Sequence, residues 1–236
     1  MRYISFISIH PQIFAPYLNI GVFAAAAKKI GLTMQVINLR DFAVDKHGSI
    51  DALPYGGGDS MVFRPEPLVA AIAAARKMAE EALSTKVLYP SPKGRVFSQN
   101  DAQLLAESPE HLIFICARFA GIDQRIIDNY VDDEISLGDY VVAGGELPSL
   151  LIAEAALRLI PEVLGNELSA LNDSFGKGNV GSLEAPIYTR PLEFEGKRVP
   201  EALVSGNHQA IKAWREEQSR LLTQNKRPDL ASKRRS

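Results

Sequence analysis

The sequence predicts an α/β fold: a parallel sheet in residues 1–162, a linker in 163–182 and a small all-helical domain in 183–236. Three observations carry this reading. Short β-branched and aromatic runs alternate with segments of helical spacing. Several of the runs end in glycine, proline and small residues. Past residue 165 the chain turns polar and glycine-rich before a final helical stretch.

Taken in order, "RYISFISI" (2–9) reads as a buried strand, and "PQIFAPYLNIGVFAAAAKKIG" as a helix with breaks that ends on Gly31 as a C-cap. "TMQVINL" (33–39) is a second strand. Residues 40–60 hold glycine and proline breakers without sustained periodicity, which predicts a long loop. Pro65 and Pro67 suit a first helical turn, and Leu68, Ile72, Ala75, Ala79 and Ala82 follow at helical spacing. "KVLYPSPKGR" (86–95) predicts a short strand broken at Pro90 and Pro92. A helix over 98–107, the strand "HLIFICA" (111–117), a helix over 121–131 and the strand "EISLGDYVV" (134–142) come next. Residues 148–160 have nine apolar positions of thirteen, the pattern of a helix buried nearly all round. The stretch "NDSFGKGNVGS" reads as mobile. Ser205 or Asn207 is placed to cap the last helix.

Composition sets the class. With 46% hydrophobic and 23% charged residues the chain is an ordinary globular protein. One cysteine, Cys116, excludes an internal disulfide and fits a reducing cytoplasm; within "LIFICARF" it reads as core. No apolar run is long enough to span a membrane, and the start lacks a signal-peptide pattern. Residues 207–236 carry eight Lys/Arg against three acids, a net of +5 on a remainder of −7, which suits either a phosphate-binding limb or a solvated helix with a basic tail. His10, His47 and His111 have no neighbours at metal-ligand spacing, so no metal site is assigned.

Three strand ends share one character: "LYPSPKGR" (88–95), "CARFAGID" (116–123) and "LGDYVVAGGELP" (137–148). Parallel sheets bind ligands at the carboxyl ends of their strands, so three such turns can wall one pocket. The spacing is not G-x-G-x-x-G, which argues against a dinucleotide enzyme.

These segments resemble the bacterial tRNA (guanine-N1-)-methyltransferases of the trefoil-knot class. The similarity runs over nearly the whole chain, through "VDKHGSIDALPYGGG", "SPKGR", "GIDQR", "SLGDYVVAGGELP", "RLIPEVLG", "NDSF", "YTRP", "VPEALVSGNH" and "WREEQS", in the family's order. It implies methyl transfer from S-adenosylmethionine to N1 of the guanine just 3′ of the anticodon. It also implies a SPOUT-like deep trefoil knot in the C-terminal half of the α/β domain. The implied partners are tRNA and a second copy of the chain sharing the active site, with neither DNA nor membrane among them.

The resemblance assigns roles residue by residue. Leu88, Tyr89, Pro90, Ser91 and Pro92, then Ala117, then Leu137, Gly138, Tyr140, Val142, Gly144, Gly145 and Pro148 would hold the cofactor. Gly144 and Gly145 would be required because a side chain there would collide with the cofactor or with a crossing segment of the knot. Asp173 stands at the position of the family's general base, and Arg158 at that of an arginine suited to charge developing on guanine O6. Asp51 and Tyr55 lie in a loop resembling one that covers the site. Ser205, Asn207, His208 and Arg215 belong to the tRNA-gripping limb, and Trp214 reads first as core. The chain also departs from the family. A glutamate linked to the cofactor and to a magnesium requirement is Ala120, which weakens the case for magnesium. A second glutamate is Gln124, and a glycine of the covering loop is Ser60. These departures make a catalytically weak or inactive tRNA-binding paralogue the alternative.

Overall fold

The computed structural model describes residues 2–46, 48–77, 84–108, 110–176, 178–179 and 182–233. Ala79 and Ala82 of the predicted helical face, His47, and Arg234 and Arg235 of the basic end lie outside the described residues. The chain forms two compact units, Met1–Gly165 and Asn166–Ser236.

The first unit is built on β1 (Tyr3–Ser8), β2 (Thr33–Asn38), the short β3 (Asp51–Ala52) and β4 (Val62–Phe63), β5 (Thr85–Val96), β6 (His111–Ile115) and β7 (Asp133–Ser136). Its helices are α1 (Ala15–Leu18), α2 (Gly21–Ile30), α3 (Pro65–Arg76), α4 (Gln99–Glu107), α5 (Gln124–Tyr130) and α6 (Glu146–Leu157). Five strands make one sheet in the order β2-β1-β6-β5-β7, with every pair parallel. Alternate residues feed two cores. Ile4, Phe6, Leu112, Phe114 and Ile135 meet α2 and α6 on one face, while Ile7, Val87, Ile113 and Ile115 meet α3 and α5 on the other. A parallel sheet covered on both faces explains why these strands read as apolar runs. Phe6 anchors the first core, 4.8 Å from Phe14 and 5.4 Å from Phe114 between ring centroids.

Four predicted elements come out differently. The long loop of 40–60 carries a 3-10 turn, Leu39–Phe42, and ends in the β3–β4 ribbon, where Asp51 pairs with Phe63. β5 does not stop at its prolines. Its pairing with β6 ends at Leu88, and its register with β7 shifts between Pro90 and Arg95, so neither proline is asked for a ladder N–H. Beyond the shift, the Arg95 guanidinium reaches Asp133 and Asp101, both at 2.6 Å, and clamps the strand to β7 and the start of α4. The strand predicted over 134–142 is only β7, because Gly138 takes φ +138° and turns the chain out of the sheet. Helix α6 begins two residues before Pro148 and leaves Leu147, Leu151 and Glu154 exposed, so it is not buried all round.

The second unit is mainly helical: α7 (Glu167–Asn172), α8 (Glu201–Val204), α9 (His208–Lys226) and α10 (Pro228–Lys233), with a two-stranded ribbon of β8 (Glu193–Phe194) and β9 (Lys197–Arg198). Asn207 caps α9, accepting from the amides of Gln209 and Ala210. Among the described residues no helix is long and apolar enough to cross a membrane.

Candidate active site

The proline-bearing stretch of β5 and the turns that follow β6 and β7 come together at the carboxyl edge of the sheet. The Gly145 amide donates to the Ala117 carbonyl at 2.8 Å, and Arg118 bridges to Gly144, so the two turns are stitched backbone to backbone. Between the turns lies a cleft of about 300 Å³. That is the lower end of small-molecule sites, which run to about 1,000 Å³. Tyr89, Pro90, Ser91 and Pro92 form one part of its wall, Ala117 belongs to a second, and Leu137, Tyr140, Val142, Gly144, Gly145 and Pro148 belong to a third. Eleven of the thirteen residues that the sequence groups as cofactor-binding therefore share one cleft. Leu88 is not on its wall, being sunk in the core, and neither is Gly138, whose amide and carbonyl both bond the Ser136 hydroxyl.

The glycine pair in "AGGELP" meets the chain itself. A Cβ on Gly145 would sit 2.9 Å from the Cα of Cys116, and one on Gly144 would strike the side chains of Glu146 and Arg118. Glu146, the first residue of α6, is 1% exposed. The Ser8 hydroxyl donates to it at 2.8 Å, and Arg118 Nε donates to both carboxylate oxygens at 3.2 Å. One buried carboxylate thus ties the end of β1, the turn after β6 and the start of α6, where a helix favours negative charge. Behind the wall, Cys116 contacts the Ser149 hydroxyl at 3.2 Å, and burial pushes its thiol pKa up, so it is core and not a nucleophile. Tyr89 is pushed up to about 12, first by burial and then by the charge of Glu134, and its phenol stays protonated at neutral pH.

Sequence reasoning missed several wall residues: Lys93, Arg118, Glu134, Leu147 and Leu151. Each lies within or beside one of the three turns, so proximity to a glycine- or proline-rich strand end was the available signal. Arg158, expected inside the long helix, is instead the C-cap of α6; it is half-buried and off the cleft wall. Asp51 sits in β3, while Tyr55 projects fully into solvent.

The second unit holds a larger groove of about 1460 Å³, lined by Asp173, Tyr188, Arg190, His208, Lys212 and Arg215 among others. Asp173 is half-buried, and its carbonyl accepts from the Gly176 amide and the Asn179 side chain, both at 3.0 Å. Ser205 and Asn207 are not on the groove wall: the Ser205 hydroxyl donates to the Ala202 carbonyl, and Asn207 caps α9. Trp214 packs edge-on against Tyr188 at 6.1 Å. Among the described residues no group of three or more His, Cys, Asp or Glu is arranged to hold a metal.

Comparison with known proteins decides the family. The model of "tRNA (Guanine-1)-methyltransferase TrmD" matches residues 1–233. The chain belongs to the tRNA (guanine-1)-methyltransferase family. Relatives named tRNA (guanine-N(1)-)-methyltransferase include that of Staphylococcus carnosus (strain TM300), 46% identical over 98% of this chain and 91% of its own length. That of Staphylococcus haemolyticus (strain JCSC1435) is 45% identical over 96% and 89%, and that of Staphylococcus aureus (strain JH9) is 44% identical over 98% and 91%. As a member of this methyltransferase family, the chain carries Ala120 on its cleft wall beside Phe119 and Gly121, so this turn offers the cleft no carboxylate.

Proposed function

We propose that this chain transfers a methyl group from S-adenosylmethionine to N1 of the guanine immediately 3′ of the tRNA anticodon. The observation that supports the reading is the cleft at the sheet's carboxyl edge. Its prolines, Leu137, Tyr140 and Val142 present apolar surface to a flat base, and its glycine-bearing turns let backbone groups approach closely. A nucleoside carrying a charged amino-acid end fits such a wall, with Lys93, Arg118 and Glu134 among the lining residues. When bound, S-adenosylmethionine supplies an electrophilic methyl group.

The chain's own residues do the rest. Guanine N1 is a poor nucleophile until its proton leaves, and Asp173 is the base that takes it. As the proton departs, negative charge grows on O6, and the Arg158 guanidinium stabilises it. His208 and Arg215, on a groove that also bears Arg190, Lys212 and Arg220, grip tRNA phosphates, with Ser205 and Asn207 shaping the turn that opens α9. Asp51 and Tyr55 belong to the segment that covers the substrate. In this reading residues 1–162 are the knotted cofactor domain, 163–182 the linker and 183–236 the tRNA-binding domain. The enzyme is a cytoplasmic homodimer whose sites are shared between subunits.

The test is to incubate the protein with unmodified tRNA and S-adenosylmethionine and quantify 1-methylguanosine by nucleoside mass spectrometry. The wild type should form it at the position 3′ of the anticodon. Asp173→Ala should form none while still binding the cofactor, and Arg158→Ala should lose roughly a hundredfold or more in turnover. Absence of product from the wild type, despite bound tRNA and cofactor, would overturn the reading.

A further inference from the structure

The cleft wall contains one carboxylate with a buried oxygen that no group among the described residues hydrogen-bonds. Glu134 is the second residue of β7, and its Oε1 is buried with no hydrogen-bond partner among the described residues. It is also the one carboxylate among the described residues that line the cleft. Its backbone is held firmly. Tyr89 is its register partner across β5, and Gly94 passes so close that any Cβ there would run into the peptide joining Glu134 to Ile135. The group therefore stands on a firmly held stretch of backbone at a ligand-sized cavity, half-buried, with Oε1 lacking a donor among the described residues.

A buried carboxylate oxygen left without a donor costs stability, and such groups persist where something outside the fold supplies the missing partner. Arg118, a cation on the same wall, gives its Nε to Glu146 instead. We propose that Glu134 accepts a hydrogen bond from an N–H or O–H group of the bound cofactor and so sets cofactor affinity. This rests on the reading of the cleft as the S-adenosylmethionine site. That molecule offers three kinds of donor: the adenine 6-amino group, the ribose hydroxyls and the α-ammonium. The cleft is too small and too apolar to favour a phosphate-bearing RNA strand in its place.

The proposal has an unusual signature, because stability and binding should move in opposite directions. Removing the unpartnered charge relieves the ligand-free fold, so Glu134→Gln and Glu134→Met should melt at or above the wild-type temperature without ligand. The same variants should bind S-adenosylhomocysteine about tenfold or more weakly by titration calorimetry. Unchanged affinity in both variants would overturn the proposal. So would a loss of affinity that comes with a lowered melting temperature in both, which marks a structural residue. Two analogues then locate the donor: 5′-methylthioadenosine lacks the amino-acid end, and S-inosylhomocysteine lacks the 6-amino group. The analogue missing the relevant donor should bind wild type and Glu134→Gln equally, and if neither does, the ribose hydroxyls are the donor. A wild type that binds neither S-adenosylmethionine nor S-adenosylhomocysteine would instead defeat the reading of the cleft itself.

Discussion

Glu146 and His111 show how much single buried polar groups decide in this protein. Glu146 holds Ser8 and Arg118 together at 2.8 and 3.2 Å, so Glu146→Ala would leave a hydroxyl and a guanidinium without their shared acceptor. Arg118 is partly solvated, which limits the loss, and urea unfolding should show a destabilisation of roughly 2–3 kcal/mol. His111 is fully buried, with Nε2 2.7 Å from the Ser5 hydroxyl and Nδ1 without a hydrogen-bond partner among the described residues. Burial pushes its pKa down to about 4. The unfolded value is near 6.5, so the unfolded chain binds the proton more readily. Its contribution is therefore complete above about pH 6.5 and is lost as pH falls toward 4. Melting temperature measured across that window should drop in the wild type, and His111→Gln should flatten that part of the profile. Gly145 makes the same point about space: Gly145→Ala would press a methyl to 2.9 Å from the Cys116 Cα and should cost about 1–3 kcal/mol while weakening cofactor binding. The glycine pair was visible in the sequence, but the segment it approaches was not.

At the scale of elements, the helix ends were largely legible and the strand ends were not. Gly31 caps α2 with φ +67°, and Asn207 caps α9, both consistent with short-range chemistry. Asn207→Ala should cost about 1 kcal/mol by denaturant unfolding, as should Ser98→Ala, which dismantles the capping box of α4. β5 resisted a local reading because proline excludes a strand only where the ladder needs its N–H, and that depends on which neighbour is paired at that residue. β7 was overextended for the same reason. "GDYVV" is β-prone, yet Tyr140, Val141 and Val142 are exposed on the turn that walls the cleft instead of packing in a sheet.

For the whole molecule, ligand linkage offers the broadest checks. Any cofactor that binds only the folded chain should stabilise it by about 2.7 kcal/mol at a hundred times its Kd, so S-adenosylmethionine should raise the melting temperature and NADH should not. Binding of tRNA should weaken steeply with salt, and Lys212→Ala or Arg215→Ala, both on the groove of the second unit, should each reduce the slope of log affinity against log salt by about one. Composition alone left the basic end between a phosphate-binding limb and a solvated tail. The groove shows Arg190, Lys212, Arg215 and Arg220 along one concave surface, an arrangement that summed charge does not encode.

From the sequence alone came the α/β class, the parallel sheet implied by apolar runs alternating with helices, and membership in the tRNA (guanine-1)-methyltransferase family, because periodicity and motif order are properties of the chain read locally. Only the tertiary structure decided that three distant segments form one cleft, that Leu88 and Gly138 stay off its wall, and that Glu134 stands there with a buried oxygen that no described residue bonds. Those facts depend on which segments meet across the sheet edge. A hydrogen bond or a steric limit between residues far apart in the chain exists only once long-range packing has brought them together.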